Sequence, residues 1–212
     1  MAIYIDTHTH NPYRENILAI YNLSTSEIDH VDFSNRSQYY SVGIHPWEVH
    51  ETSSNTLEKL DMYAENELIK AIGECGLDKN SKAGIKEQCY YFERQVQISE
   101  EHQKPMIIHC VACFNEIMAL RKKLHPTQDW IIHGFRGKAQ LAEQLISNGF
   151  YLSFGEKYNV MSVEVTPLQK ICIETDTSST DLITLYKDIA SIKGCLPKEL
   201  NAACRLLKLY VC

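Results

Sequence analysis

The sequence predicts an α/β fold, a TIM-like (β/α)8 barrel distorted at its front end, with the first outer helix missing. Three observations predict it. Eight short runs rich in β-branched and aromatic residues punctuate the chain, stretches of helical periodicity separate them from the third run onward, and 212 residues suit a small barrel. Near-continuous apolar strands alternating with amphipathic helices build a parallel sheet covered on its outer face. No linker, low-complexity tract or long internal repeat interrupts the chain, so residues 1–212 read as one domain.

The strand candidates are, in order, IYID (3–6), LAIYNL (18–23), YYSVGI (39–44), LIKAIG (68–73), MIIH (106–109), WIIH (130–133), YLSF (151–154) and ICIE (171–174). Between them, Ile85, Cys89, Phe92 and Val96 recur at steps of three and four, as do Phe114, Ile117 and Met118, then Ala142, Leu145 and Ile146. The ending LPKELNAACRLLKLY places Leu196, Leu200, Ala203, Leu207 and Tyr210 on one stripe, which predicts a closing helix. The front end differs. Only THTHNPYRENI, with Pro12 in it, separates the first two strand candidates, whereas a parallel crossover takes about a dozen residues or more, usually as a helix. The next link, STSEIDHVDFSNRSQ, has no helical stripe and leaves room for a short extra strand around HVDF.

Composition narrows the function classes. A hydrophobic content of 44% supports a substantial core, and a net charge of -6 gives no basic footprint of the kind nucleic-acid binders carry. Any polyanionic substrate would therefore need a local positive centre. Eight cysteines, with no charged-then-apolar leader before Ile3, read as reduced thiols in a cytoplasmic protein. No apolar run approaches the roughly 18 residues needed to span a bilayer, so no membrane partner is expected.

The chain opens MAIYIDTHTH, where side-chain alternation in an extended strand would put Asp6, His8 and His10 on one side. His8 and His10 follow the first strand candidate, Glu74 follows the fourth, His109 and His133 end the fifth and sixth, and Asp176 lies just past the eighth. Catalytic groups of such barrels come from the C-terminal ends of the strands, and imidazoles and carboxylates gathered there are the donors of zinc-class divalent ions.

The segments IDTHTH, VGIHPW, AIGECGLD, PMIIH, IIHGFRG and IETD, taken in this order, resemble the TatD-type metal-dependent deoxyribonucleases of the amidohydrolase superfamily, over about residues 3–178. The resemblance implies a distorted barrel holding two divalent ions; the histidine-rich donor set favours zinc, with magnesium or manganese as alternatives. It places one ion on His8, His10 and Asp176 and the other on His109 and His133, with Glu74 bridging them. It also makes Asp176 the residue that orients the attacking water and takes its proton.

Other residues have plainer alternatives. The resemblance makes His45 of VGIHPW a substrate contact; the alternative is a capped turn before Pro46. Arg136 of HGFRG has a guanidinium suited to a phosphate, or is an exposed helix-start arginine. Asp6 reads as an orienter of the histidines or a structural hydrogen-bonding group, Asp78 as a cap or loop anchor, and Glu174 as an anchoring group. Trp47 could stack on a base or be an ordinary part-exposed aromatic. Cys110 and Cys113, a C-x-x-C with no partner pair, read as ordinary thiols.

The chain also departs from the family pattern. Val111 stands where members carry an arginine, and TDTSSTDLITLYKDIA enters a helix almost at once where members have a long loop after the aspartate. The expected activity is a two-metal phosphodiesterase acting on DNA ends. The alternatives are hydrolysis of a small phosphoester, lactone or amide, or a non-catalytic metal-binding relative. No protein partner is predicted.

Overall fold

The structure, a computed structural model, describes residues 4–11, 14, 17–33, 38–53 and 55–209. Its strands are β1 (Ile5–Thr9), β2 (Leu18–Ser24), β3 (Tyr39–Gly43), β4 (Ile69–Asp78), β5 (Met106–Val111), β6 (Trp130–Ile132), β7 (Tyr151–Phe154) and β8 (Ile171–Ile173). They form an eight-stranded sheet in the order β1 to β8. The pairings of β1 with β2, β3 with β4, β4 with β5, β6 with β7 and β7 with β8 are parallel. The helices are α1 (Thr56–Ala64), α2 (Ile85–Glu101), α3 (Phe114–Leu124), α4 (Ala139–Ser147), α5 (Val160–Val165), α6 (Leu182–Lys193) and α7 (Ala202–Leu206). Each predicted strand is present, and no helix lies between β1 and β2 among the described residues.

The chain divides into two compact units, Met1–Tyr21 with Ile131–Cys212, and Asn22–Trp130. In the first unit, the chain leaving β8 is tied to β1 by a parallel bridge between Thr9 and Asp176. The Asp176 N–H donates to the His8 carbonyl at 3.0 Å, and the His10 N–H donates to the Asp176 carbonyl at 3.0 Å. The start of β1 is fixed by the buried Tyr186 of α6, whose hydroxyl donates to the Ile5 carbonyl (2.9 Å) and accepts from the Ile5 N–H (3.2 Å).

In the second unit, β4 runs beyond its predicted end at residue 73 to Asp78. Gly76, at φ +147°, makes the extension possible, since a Cβ there would lie 2.0 Å from the His109 carbonyl oxygen. Glu74 therefore sits within β4, and His109 within β5. Two buried glutamines of α2 hold adjoining main chain. Gln95 accepts the Ile44 N–H (2.7 Å) and donates to the Ile44 carbonyl (3.2 Å), while Gln88 accepts the Asp78 N–H (2.8 Å) and donates to the Asp78 carbonyl (3.0 Å).

Three sequence expectations fail. Around HVDF the described residues hold no strand; a single 3-10 turn spans Ile28–His30, and Asp29 accepts from Lys59 and Tyr63 of α1, which draws this segment toward a helix rather than a sheet edge. The closing helix is broken. Pro197 opens a 3-10 turn over Pro197–Glu199, Glu199 accepts the Leu196 N–H, and the short α7 follows Asn201, leaving Leu196 57% exposed and off the predicted stripe. Leu200, Ala203 and Leu207 are buried as predicted, and Tyr210 lies outside the described residues. Cys75, Cys89, Cys110, Cys113, Cys172 and Cys195 carry thiols, but Cys204 is disulfide-bonded, contrary to the expectation of thiols throughout. Among the described residues no helix is long and apolar enough to cross a membrane.

Candidate metal centre

Each unit gathers one group of metal-type donors. In the first unit, β1 and the turn after β8 bring together His8, His10 and Asp176, whose donor atoms all lie within 4.8 Å of one another. The Asp176 Oδ1 is 3.9 Å from His8 Nε2 and 3.8 Å from His10 Nε2. Asp176 adopts φ 52°, a left-handed conformation that Asp tolerates better than most side chains, and its main chain is held on both sides by β1. His133, directly after β6, packs against His8 with ring centroids 4.6 Å apart. In the second unit, Glu74, His45 and His109 form the other group within the same 4.8 Å limit. Glu74 Oε1 lies 2.7 Å from His109 Nδ1 and 3.2 Å from His45 Nε2.

Neighbouring groups decide which nitrogen each imidazole offers. A carboxylate lies against each nitrogen of the His109 ring, buried Asp78 at 3.0 Å from Nε2 and Glu74 at 2.7 Å from Nδ1, and Asp78 fixes the orientation in which Nδ1 is presented beside Glu74. Asp78 also accepts from the Trp47 indole N–H (2.8 Å) and the Asn80 main-chain N–H (2.7 Å). Burial works to raise the Asp78 carboxyl, but the bonds from Asn80, His109 and Trp47 outweigh it and hold the group below the ordinary carboxylate range. His45 is arranged differently. Its Nδ1 accepts the Trp47 main-chain N–H (3.1 Å), which in the neutral ring puts the proton on Nε2 and makes that atom a donor toward Glu74. The bonding pattern of His45 suits a hydrogen-bond donor at the site better than a third metal ligand.

In the first unit, Glu174 is fully buried; its Oε1 accepts from the Gly134 N–H (2.7 Å) and faces His133 Nδ1 at 3.3 Å. Glu174 Oε2 has no hydrogen-bond partner among the described residues, a buried oxygen that a cation would satisfy. With imidazole and carboxylate donors converging in each group, the residues present fit divalent cations of the zinc, magnesium or manganese type.

The remaining candidates also have defined places. Asp6 is not in either group; its carboxylate accepts the Thr175 N–H (2.9 Å) and hydroxyl (2.6 Å), and burial pushes it up to about 7. It is a structural hydrogen-bonding group that ties β1 to the residue before Asp176. Arg136 lies in the loop between β6 and α4, ahead of the helix start, and lines a cavity of about 260 Å³ with Lys157, Glu174 and Asp176. Val111 ends β5, with its carbonyl accepting the Lys79 N–H. Burial pushes the Cys110 thiol up to about 12 and raises Cys113 too, which favours the protonated thiol in both. Sequence reasoning missed Gln88 and Gln95, two turns apart on α2. Their signal was a pair of amides interrupting an otherwise apolar stripe.

A parallel eight-stranded α/β sheet with histidine and carboxylate donors at its strand ends defines the class of metal-binding (β/α)8 proteins. Within that class, residues 5–203 match the family described as TatD related DNase, and the chain belongs to this family. A protein called an uncharacterized metal-dependent hydrolase, from Buchnera aphidicola subsp. Baizongia pistaciae, is 32% identical over 152 residues, covering 68% of this chain and 57% of that protein. A 3'-5' ssDNA/RNA exonuclease TatD of Erwinia billingiae is 31% identical over 148 residues, covering 64% of this chain and 56% of that protein. The chain thus spans somewhat over half the length of the curated relatives it matches. Among solved structures, a TatD homologue from Escherichia coli K12, YJJV, superposes with a TM-score of 0.78 at 18% identity, over 97% of this chain and 95% of that one. A TatD family hydrolase of Entamoeba histolytica gives 0.71 at 16% identity, over 98% and 97%. These two likenesses establish the (β/α)8 barrel fold.

Proposed function

We propose that this chain is a two-metal phosphodiesterase that trims single-stranded nucleic-acid ends. The observation that carries the reading is the pair of donor groups, His8, His10 and Asp176 in one unit and Glu74 with His109 in the other, in a member of the TatD family. In this reading the first group holds one ion; His109 and His133 serve the second, and Glu74 is shared, as the resemblance implies. Zinc is the first choice for these imidazole-rich sets, with magnesium or manganese as alternatives. Bound divalent ions would supply positive charge to a phosphoryl oxygen and acidify water, which explains how a chain of net charge -6 takes a polyanion. The protein's own side chains do the rest. Asp176 orients the attacking water and accepts its proton, His45 beside Glu74 is a substrate contact, and Arg136 contacts a substrate phosphate from the rim of its cavity. The names of the relatives, which specify single-stranded DNA and RNA, support a nucleic-acid substrate.

A second reading, hydrolysis of a small phosphoester, lactone or amide, is favoured by one observation. Asp181 already caps α6, so only a short loop follows Asp176 and little chain is left there to hold a long strand. The test is release of mononucleotides from a 3'-labelled oligonucleotide beside turnover of a small chromogenic phosphodiester, each with and without added metal, with metal content measured on the same preparation. Metal-dependent release from the oligonucleotide supports the nuclease; turnover of the small ester alone moves the assignment to the second reading. Full metal occupancy with no turnover of either would make the chain a non-catalytic relative.

A further inference from the structure

Trp47 is 57% exposed, among the most exposed large apolar side chains described, yet it is not loose. Its indole N–H donates to the buried Asp78 carboxylate at 2.8 Å, and its main-chain N–H donates to His45 Nδ1 at 3.1 Å. Its ring meets the His45 ring edge-on, with centroids 5.0 Å apart and planes at 78°, and stands 6.0 Å from the His109 ring. The polar edge of the indole is consumed inward while much of the apolar ring faces solvent beside the Glu74 group. A tryptophan filling a core would be covered, as Trp130 is at 0% exposure, and one left on the surface by chance would not have its N–H fixed to a carboxylate that also fixes a candidate metal ligand.

From this geometry we propose that Trp47 is a stacking platform for a flat aromatic group of the substrate, a nucleobase next to the scissile phosphate. The inference rests on the nucleic-acid reading above and deepens it. A rigid, pre-oriented ring binds a base with little loss of side-chain freedom, and every base has a π-face, so the contact tolerates any sequence. Because Asp78 holds both the indole and His109, the base and the reacting phosphate would be placed relative to one rigid group.

The chain has two tryptophans, and Trp130 is buried, so quenching of tryptophan fluorescence on binding reports Trp47. The experiment titrates metal-loaded protein with a cleavage-resistant phosphorothioate oligonucleotide and with one of equal length and charge whose terminal nucleotides are abasic. The expected result is quenching by the intact oligonucleotide and affinity about 10-fold higher than for the abasic one, the range given by aromatic–base stacking. Trp47→Ala should bind both equally, and Trp47→Phe, which keeps a flat ring, should retain part of the preference. Thermal melts of both variants show that each is folded. Equal affinity of the wild type for the two oligonucleotides, absence of binding to either, or an undiminished preference in Trp47→Ala would overturn the proposal. Turnover of the small chromogenic phosphodiester is read in parallel. Turnover without base preference removes the platform and leaves hydrolysis standing, whereas base preference without any turnover removes hydrolysis and leaves the platform.

Discussion

In the first unit the donors are held by main chain: Asp176 exchanges peptide hydrogen bonds with His8 and His10, and Thr175 before it is clamped by Asp6. In the second unit they are held by side chains: Asp78 fixes His109, while Gln88 and Gln95 reach from α2 to the peptides of Asp78 and of Ile44, next to His45. The difference teaches where each group is vulnerable. A substitution outside the donors leaves the peptide bonds of the first group in place, but a single change at Asp78 removes the carboxylate that holds the His109 ring in the second. The first group should therefore respond mainly to changes in its donors, and the second also to changes in its supports.

The largest effect is expected at Asp176. Asp176→Asn keeps the shape and an oxygen but removes the negative charge and nearly all basicity. Its kcat should fall by about 10²–10⁴, the usual size of a general-base contribution, while the fold is retained because the peptide bonds to β1 do not depend on the side chain, and much of the metal stays because Asn keeps an oxygen that can touch it. Single-turnover hydrolysis beside elemental analysis measures this, and near-native turnover at full metal loading would move the proton acceptor elsewhere.

Glu74→Ala comes next and strikes the second group at its carboxylate, 2.7 Å from His109 and 3.2 Å from His45. If Glu74 is shared as proposed, metal content falls from about two ions per chain toward none, whereas His109→Ala empties mainly one site. Loss of a single ion in Glu74→Ala would confine this residue to the second group. Unchanged content would remove it as a ligand.

The strands were legible because β-branched runs such as YLSF and ICIE carry the signal of a buried parallel sheet in their own letters, and β7 and β8 follow them closely. The second half of β4 was not, because GECGLD looks like a loop until β5 lies beside it and only a glycine at 76 fits against the His109 carbonyl. The closing segment misled for a related reason. Its apolar stripe is real at Leu200, Ala203 and Leu207, but periodicity does not weigh Pro197 and Asn201, which divide it into a 3-10 turn and a short helix. In the site, donor types at strand ends singled out His8, His10, Glu74, His109, His133 and Asp176 as candidates, and the fold gathers His8, His10 and Asp176 in one group and Glu74 and His109 in another. What sequence spacing could not give is which ring nitrogen faces Glu74, Nε2 in His45 and Nδ1 in His109, since that depends on the Trp47 peptide and on Asp78, contacts that form only in the fold.

A smaller effect tests the supports directly. Asp78→Asn replaces an acceptor-only carboxylate with an amide, so one of its three contacts, from His109, Trp47 or Asn80, must weaken. Metal affinity of the second group should drop by roughly 10–100-fold, as is usual for loss of a ligand-orienting partner. Glu174→Gln, which keeps an oxygen for the Gly134 N–H, should cost the first unit less. Competition titration with a chelating dye ranks the two, and a larger loss in Glu174→Gln would invert the contrast between main-chain and side-chain support.

The smallest effect is expected at Arg136, which touches neither group's support. It is exposed, lines the cavity that also contains Asp176, and no ion pair to a described residue occupies its guanidinium. An arginine in that state has no structural partner to lose, so Arg136→Ala should leave the melting temperature and metal content where they are. A phosphate contact there would be solvent-screened, which limits its worth to about 1 kcal/mol and the rise in KM to roughly 5–10-fold, with kcat little changed because ground state and transition state lose the contact alike. Added salt should then weaken substrate binding less in the variant than in the wild type, since one charge–charge contact is gone. An unchanged KM with an unchanged salt response would return Arg136 to the exposed surface and leave Asp176 and His45 as the groups that meet the substrate.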